Sequence, residues 1–470
     1  MSLSRLWLAV LAGKVAQGAA RRTGRGGTAL PGLVAERIEP NFISKFTKQL
    51  GDVALISGTN GKTTTARMIA EIAKRDGRLV IHNRAGSNLM RGIGAALVDA
   101  AGATGRLPQG SLGVFEIDEA TLPEAVRVMQ PKFLLINNLM RDQLDRYGEI
   151  ESVRGRWVTA LASLPPTTTL FLNADDPSVA TLSAYATGAV RFFGIDDTTL
   201  SISDTDSAEQ PVDALWDPDS GEDYKFTHRF FSHLGHWTCP RGGLHRPDPD
   251  VGAHRISQSH AIGDDVSTIS FEVSAFGEKQ HVNLPLDGLY NVYNALAAVG
   301  LTRGLGIEFS VILPAIAEMR PVFGRQERLV VQGHTVRILL GKNPAGLSAA
   351  LETLRRGGAQ HHLLVLLNDR IADGIDTSWI WDTDWESVSS HTASVAVGGT
   401  RAADMALRLQ YAGLPEPSIV VSNIDSAVKQ TFDWIPAGAP LIVLPTYTAL
   451  LEARKLLGRM AGATRIWDGA

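Results

Sequence analysis

Two glycines, a lysine and a run of hydroxyls fall within one short stretch, Ser57-Gly58-Thr59-Asn60-Gly61-Lys62-Thr63-Thr64-Thr65. Glycine lets a backbone approach phosphate closely, and the N–H groups that open a helix carry partial positive charge. Lys62 has the reach for the β- and γ-phosphates of a nucleotide, and the Thr63 hydroxyl suits Mg2+. Gly58, Thr59, Asn60, Gly61 and Thr64 complete the expected cradle. Ile56 stands where the commonest phosphate-loop spacing has glycine, so the letters alone also fit a chance glycine-rich turn. A β-rich run before the loop and a helical pattern after it favour nucleotide binding. As a loop residue facing phosphate, Lys62 is expected to add little to the core. Nucleotide-bound Mg2+ also takes one or two carboxylates. Glu116, in Phe115-Glu116-Ile117-Asp118-Glu119, ends a predicted strand, the edge at which open α/β sheets hold ligands. It is the first candidate, with Asp118 and Glu119 behind it; the bland alternative is a set of solvated acids.

Those residues need a sheet to hold them. Apolar runs at 52–57, 79–82, 112–116, 133–137 and 170–173 alternate with helical patterns, which argues for a parallel sheet covered on both faces. Residues 201–264 are rich in Asp, Ser, Gly, Pro and His with little periodicity, and read as an insertion. Regular structure resumes at 268–273, with a helix through Asn291 to Arg303. A second alternating block follows Gly324, with strands at 336–340, 363–367, 394–397, 418–421 and 441–444. The expected organisation is an N-terminal helical segment (1–50), a central P-loop α/β domain with a parallel sheet (51–318, carrying the 201–264 insertion) and a Rossmann-like α/β domain (319–470).

Composition narrows the classes. Acids outnumber bases by 49 to 45, which argues against a general nucleic-acid binder. The single cysteine, Cys239, cannot form an intrachain disulfide. No apolar run approaches the roughly 18 residues of a membrane span, so a cytoplasmic protein is expected. The N-terminus is distinctive: Leu6 to Leu11 is apolar, Arg5, Lys14, Arg21, Arg22 and Arg25 surround it, and no acid precedes Glu36. It suits a signal peptide, a basic helix on a membrane surface, or a short helix packed on the body of the protein.

Gly58 to Thr63, Glu116, Asn138 with Asp142-Gln143-Leu144-Asp145-Arg146, Asn173-Ala174-Asp175-Asp176-Pro177 and Asn291-Val292-Tyr293-Asn294 together resemble the ATP domain of the Mur ligases. That resemblance implies joining an amine to a peptidoglycan-precursor carboxylate through an acyl phosphate, with ATP and Mg2+. It implies Mg2+ on Glu116, adenine contact by Asn291, and Arg325 among the ATP-binding residues. Asn83 to Leu89, Arg141 to Glu149, Lys342-Asn343-Pro344-Ala345-Gly346, Leu367 to Asp382 and Leu444 to Ala449 resemble, more narrowly, the MurT branch of that family, over nearly the whole chain. The branch implies amidation of the D-glutamate α-carboxylate of lipid II to D-isoglutamine, at the inner face of the cell membrane, with ammonia from a GatD-type glutaminase. In it an aspartate at the position of Asp369 is held to complete the partner's Cys–His–Asp triad; Asp373 and Asp376 are the fallback candidates.

Three departures matter. Gln143 stands where most Mur ligases have His, leaving it a candidate only for a metal-bound water. No lysine lies between Glu151 and Asn173 to carry a second metal. Related insertions often hold a four-cysteine zinc ribbon, whereas Cys239-Pro240-Arg241-Gly242 keeps one cysteine; with only His228, His233, His236 and His245 nearby, no zinc is expected. Cys239 also lacks a nucleophile turn, so the chain is not expected to hydrolyse glutamine itself. The competing readings are a stand-alone Mur-type amino acid ligase and a nucleotide-gated scaffold without ligase activity.

Overall fold

The computed structural model describes residues 2–22, 29–83, 87–102, 104–142, 150–201, 213–259, 268–320, 325–356 and 360–461. Three helices come first: α1 (Ser2–Arg22), α2 (Leu30–Ile38) and α3 (Phe42–Thr47). Then β1 (Asp52–Ser57), α4 (Lys62–Arg75), β2 (Val80–His82), α5 (Met90–Ala100), β3 (Leu112–Glu116), α6 (Leu122–Met129), β4 (Phe133–Ile136), α7 (Ile150–Leu161), β5 (Thr169–Asn173), α8 (Pro177–Ala180) and β6 (Val190–Ile195) alternate in sequence. Strands β1 to β6 form most of the parallel part of a nine-stranded sheet. Along β1 the side chains divide between two cores. Ala54 and Ile56 join one face and Val53 and Leu55 the other, as the two-residue repeat of a strand requires. Helices on each side account for the continuous apolar runs.

The sheet is mixed rather than purely parallel. After β10 (Val251–Ser259), which runs parallel to β6, β11 (Thr268–Ala275) and β12 (Glu278–Leu284) complete an antiparallel edge. Along β11 exposure alternates residue by residue, the pattern of a sheet with one wet face, which antiparallel pairing tolerates. The helices α9 (Tyr290–Gly304) and α10 (Phe309–Ala317) return beneath it.

The insertion is more ordered than its composition suggests. β7 (Lys225–Phe231), β8 (Leu234–Cys239) and β9 (Leu244–His245) form a small antiparallel sheet, and from Val251 the chain already belongs to the large one. Half-buried His, Thr and Arg side chains hide its alternation from a count of apolar residues.

The C-terminal unit holds β13 (Arg325–Val331), β14 (His334–Leu339), α11 (Pro344–Arg356), β15 (His361–Leu366), β16 (Thr392–Gly398), α12 (Ala402–Tyr411), β17 (Ile419–Val421), α13 (Ile424–Trp434), β18 (Leu441–Pro445) and α14 (Tyr447–Met460). Its sheet order is β13-β14-β18-β15-β16-β17, parallel except for β13. Leu363 and Val365 feed one core, Leu364 and Leu366 the other.

Candidate active site

The loops that leave the carboxyl ends of β1, β3 and β4 meet. Gly58 and Gly61 have φ of 124° and 85°, left-handed values open to glycine. At Gly61 a Cβ would overlap Asn294 Oδ1, so the phosphate loop lies directly against α9. The loop is then fastened by side chains. Asn138 accepts from Asn60 N (2.8 Å) and donates to Asn60 O (3.1 Å). Thr59 Oγ1 accepts from Met140 N at 2.9 Å, and Asn137 donates to Thr65 Oγ1 at 3.1 Å. Thr65 donates to Asn294, which donates to Asn291.

Lys62 is not a loosely held loop lysine. Its side chain is 6% exposed, donates to the Gly58 and Thr59 carbonyls, and pairs with Glu119 at 3.0 Å, itself 5% exposed. Burial pushes Glu119 up, but the Lys62 and Lys342 charges hold its carboxyl below the usual range. Lys342, from the C-terminal unit, pairs with Asp142 of the loop after β4. Burial raises Asp142, and the neighbouring Glu119 charge adds to that, against the pulls of Lys342 and, more weakly, Lys62. Both carboxylates feel both ammonium groups, but at Asp142 burial and the Glu119 charge outweigh them. Asn343 and Asn60 also exchange contacts, at 3.3 and 3.5 Å. Arg337–Asp287 (2.9 Å) and Arg141–Asp382 (3.1 Å) add further ties between the units.

Between them lies a cleft lined by Asn60, Gly61, Asn138, Tyr290, Asn294 and Lys342, with Phe231 and Leu234 of the insertion and Leu339, Leu340, Ala349 and Ala350 as its apolar wall. Thr63 is half-buried in the first turn of α4, while Thr64 is buried. Glu116 is buried at the end of β3, beside Ile56 of β1, its backbone gripped at both ends by Asn83 (2.9 Å each). Asn291, at the start of α9, is not among the cleft-lining residues: its carboxamide donates to Asp287 O at 2.6 Å and accepts from Asn294. Arg325 begins β13, its side chain outside the described residues, and Gln143 lies wholly outside them.

Asp369 does not line the cleft. Beyond the end of β15, it accepts from Thr400 Oγ1 (2.8 Å), lies 3.6 Å from Arg401, and is 29% exposed. Asp373 is buried and holds Thr448 N at 2.7 Å, whereas the exposed Asp376 caps Ser378 N at 2.8 Å. Of the three, Asp373 is committed to structure.

The insertion's histidines form no common site: His228 and His236 meet only edge to face, ring centroids 5.5 Å apart. His233 is buried against Asp176 (3.3 Å), and His236 bonds the Ile195 carbonyl (2.9 Å). Among the described residues no group of three or more His, Cys, Asp or Glu is placed to hold a metal. Instead the Glu222 carboxylate gathers the Cys239 thiol (3.2 Å) and the N–H groups of Arg241 (2.7 Å) and Gly242 (3.0 Å). Burial and Glu222 both push the Cys239 thiol up, making it a poor nucleophile.

Sequence reasoning quoted Asn294 without giving it a role, and missed the pairings of Lys62 and Lys342 and the part played by Phe231 and Leu234. The Lys342-Asn343 dipeptide just past a strand was the available signal for the second cation.

Two families match: residues 56–232 the Mur ligase middle domain, and residues 340–450 the MurT ligase C-terminal domain. Among solved structures, a pseudomurein peptide ligase type C from Methanothermus fervidus has a TM-score of 0.67 at 21% identity, covering 90% of this chain and 81% of that one. The MurF ligase from Thermotoga maritima in complex with ADP has 0.62 at 13%, covering 92% and 85%. At such identities these two establish the fold alone. Fold and matched domains, together with the two relatives that follow, define an ATP-dependent ligase of the Mur class. Within it, the lipid II isoglutaminyl synthase (glutamine-hydrolyzing) subunit MurT of Streptococcus pneumoniae is 33% identical over 96% of both chains. Its counterpart from Staphylococcus aureus (strain COL) is 30% identical over 97% of this chain and 98% of its own. The chain belongs to the MurT family.

Proposed function

We propose that this chain is the ligase half of a two-subunit amidotransferase, converting the α-carboxylate of D-glutamate in the lipid II stem peptide to the amide of D-isoglutamine. The supporting observation is the inter-domain cleft, lined by Lys342 and by Asn60 and Gly61 of the loop that carries the buried Lys62, in a chain aligned end to end with MurT proteins. A carboxylate resists direct amidation because oxide is too poor a leaving group. In this reaction its oxygen attacks the γ-phosphorus of ATP and ADP departs. Ammonia then attacks the carbonyl carbon, phosphate leaves, and the nitrogen gives up a proton.

The chain's part is positioning and charge. Lys62 exchanges its loop carbonyls and Glu119 for phosphate oxygens, and Lys342 brings a second positive charge to the opposite wall. The apolar wall and Tyr290 suit a purine base, with Asn291 acting through Asn294 at the start of α9. Glu116 and Thr63 fit Mg2+: one carboxylate and one hydroxyl are a donor set that such an ion takes alongside phosphate and water. When bound, it would neutralise phosphate charge.

Ammonia is supplied by a separate GatD-type glutaminase, since Cys239 is buried and its thiol pKa is raised. Asp369 is the carboxylate offered to that partner's histidine. The exposed Ile371 and Ile375 beside it (85% and 66%) suit an interface. The test is lipid II amidation read by mass spectrometry, with the glutaminase and glutamine in one arm and free ammonia in the other. A one-mass-unit decrease dependent on ATP in both arms is expected. Amino acid addition instead would favour a stand-alone ligase, and no ATP-dependent product would favour a scaffold.

A further inference from the structure

Helix α1 is apolar on both sides. Leu6, Ala9, Val10 and Gly13 are buried against α2 and α5, and a side chain at Gly13 would press on Val98 and the Pro31 carbonyl. On the outer side Trp7, Leu8, Leu11 and Val15 are 41%, 47%, 46% and 67% exposed. At 3.6 residues per turn those four share an arc of about 100°. A surface helix ordinarily turns charge outward, and one that is apolar all round implies a cover for its second face.

The surroundings indicate what the cover is. No acid occurs within α1, which carries Arg5 and Lys14 and ends in Arg21 and Arg22. Arg5 is exposed, and Lys14 donates to the Ala101 carbonyl at 2.5 Å. Trp7 rests on Gly105, whose neighbour Arg106 is exposed. The acids nearby are engaged: Asp99 accepts from Gln17 (2.8 Å), and Glu39, within range of Arg5, is paired with Lys45 (2.5 Å). An apolar stripe bearing a tryptophan and flanked by arginines matches the headgroup boundary of an anionic bilayer. No described helix is long and apolar enough to cross one.

We propose that the outer face of α1 docks on an anionic lipid surface, with Trp7, Leu8, Leu11 and Val15 seated at the headgroup boundary. The purpose of such docking rests on the lipid-linked substrate proposed above; the binding itself is measured without substrate. The full chain is sedimented with phosphatidylglycerol-containing vesicles and, separately, with phosphatidylcholine vesicles. Partitioning onto the anionic vesicles is expected to be at least about tenfold stronger, to weaken with added salt, and to fall about tenfold in Leu8→Gln/Leu11→Gln/Val15→Gln. Those three side chains face outward, so the melting curve should hold. Should the triple variant unfold, Arg21→Gln/Arg22→Gln is the second probe, expected to reduce the anionic preference. The proposal is overturned if the wild-type chain stays in the supernatant, or if the triple variant folds and pellets as well as wild type. It is also overturned if the wild type sediments without lipid as a dimer that the triple variant dissolves, since a second copy then covers the face. Failed docking with intact lipid II amidation in detergent removes this inference alone; docking without amidation removes the proposed substrate alone.

Discussion

Replacing Lys62 by alanine removes more than the phosphate contact proposed for it. With side chains 6% and 5% exposed, Lys62 and Glu119 form a buried pair. Deleting one partner of such a pair costs about 3–5 kcal/mol, because the other charge stays buried without compensation. Lys342 remains close enough to act on Glu119, which puts the cost near the lower end, about 3 kcal/mol. For a unit of about 270 residues that is a fall in Tm of about 5 °C. Lys62→Met/Glu119→Gln removes both charges while keeping their shapes. It should regain most of the lost stability yet, like Lys62→Ala, fail to bind ATP by calorimetry. The pH dependence separates this from a packing defect. In the wild type Glu119 titrates below its ordinary 4.5, so its contribution is present above that value and lost as pH falls through the folded pKa. In Lys62→Ala burial dominates and lifts that pKa, so the deficit against wild type should shrink between pH 7 and 5. A melting temperature for Lys62→Ala within about 1 °C of wild type at pH 7 would refute the buried pair.

Asp369→Asn should leave ATP binding and ammonia-driven amidation near wild type while glutamine-driven amidation drops by about two orders of magnitude or more; persistence of glutamine-driven turnover would remove the cross-subunit role. Glu222→Ala takes away the acceptor that holds the Cys239 thiol, so maleimide labelling of Cys239 should speed up by about tenfold; an unchanged rate would mean that burial alone protects it. Burial lowers the His233 pKa, but the Asp176 charge outweighs it, and the net shift is upward from 6.5. That pair therefore contributes fully below pH 6.5 and loses its contribution as pH rises through the folded pKa. His233→Gln should flatten the fall of Tm above that pH, and a parallel curve would refute the assignment.

What the sequence made legible was local. The phosphate loop, the strand end at Glu116 and the alternating β and α runs of the second unit each draw their signal from neighbours along the chain. The pairings of Lys62 with Glu119 and of Lys342 with Asp142 were not legible, because their partners come from different strands or different units. That is also why Lys62 read as a residue of little structural weight. The strands β7 to β9 escaped notice because a small sheet with half-wet faces shows histidine and threonine where a large one shows valine. Phe231 and Leu234 lie in the stretch that read as an irregular insertion. Only the folded chain turns them toward the cleft.

Gly61 and Asn294 belong to elements far apart in the chain, yet the carboxamide of one fills the space a side chain of the other would need. Neither position is free to drift alone. A methyl group at 61 would meet both that carboxamide and a backbone φ of 85° that favours glycine, and shrinking 294 leaves Thr65 and Asn291 without their shared partner. Exchange at either position therefore passes through a damaged protein, and the second exchange does not fully repair the first. The two positions form one heritable unit, and lineages of this ligase should keep both residues.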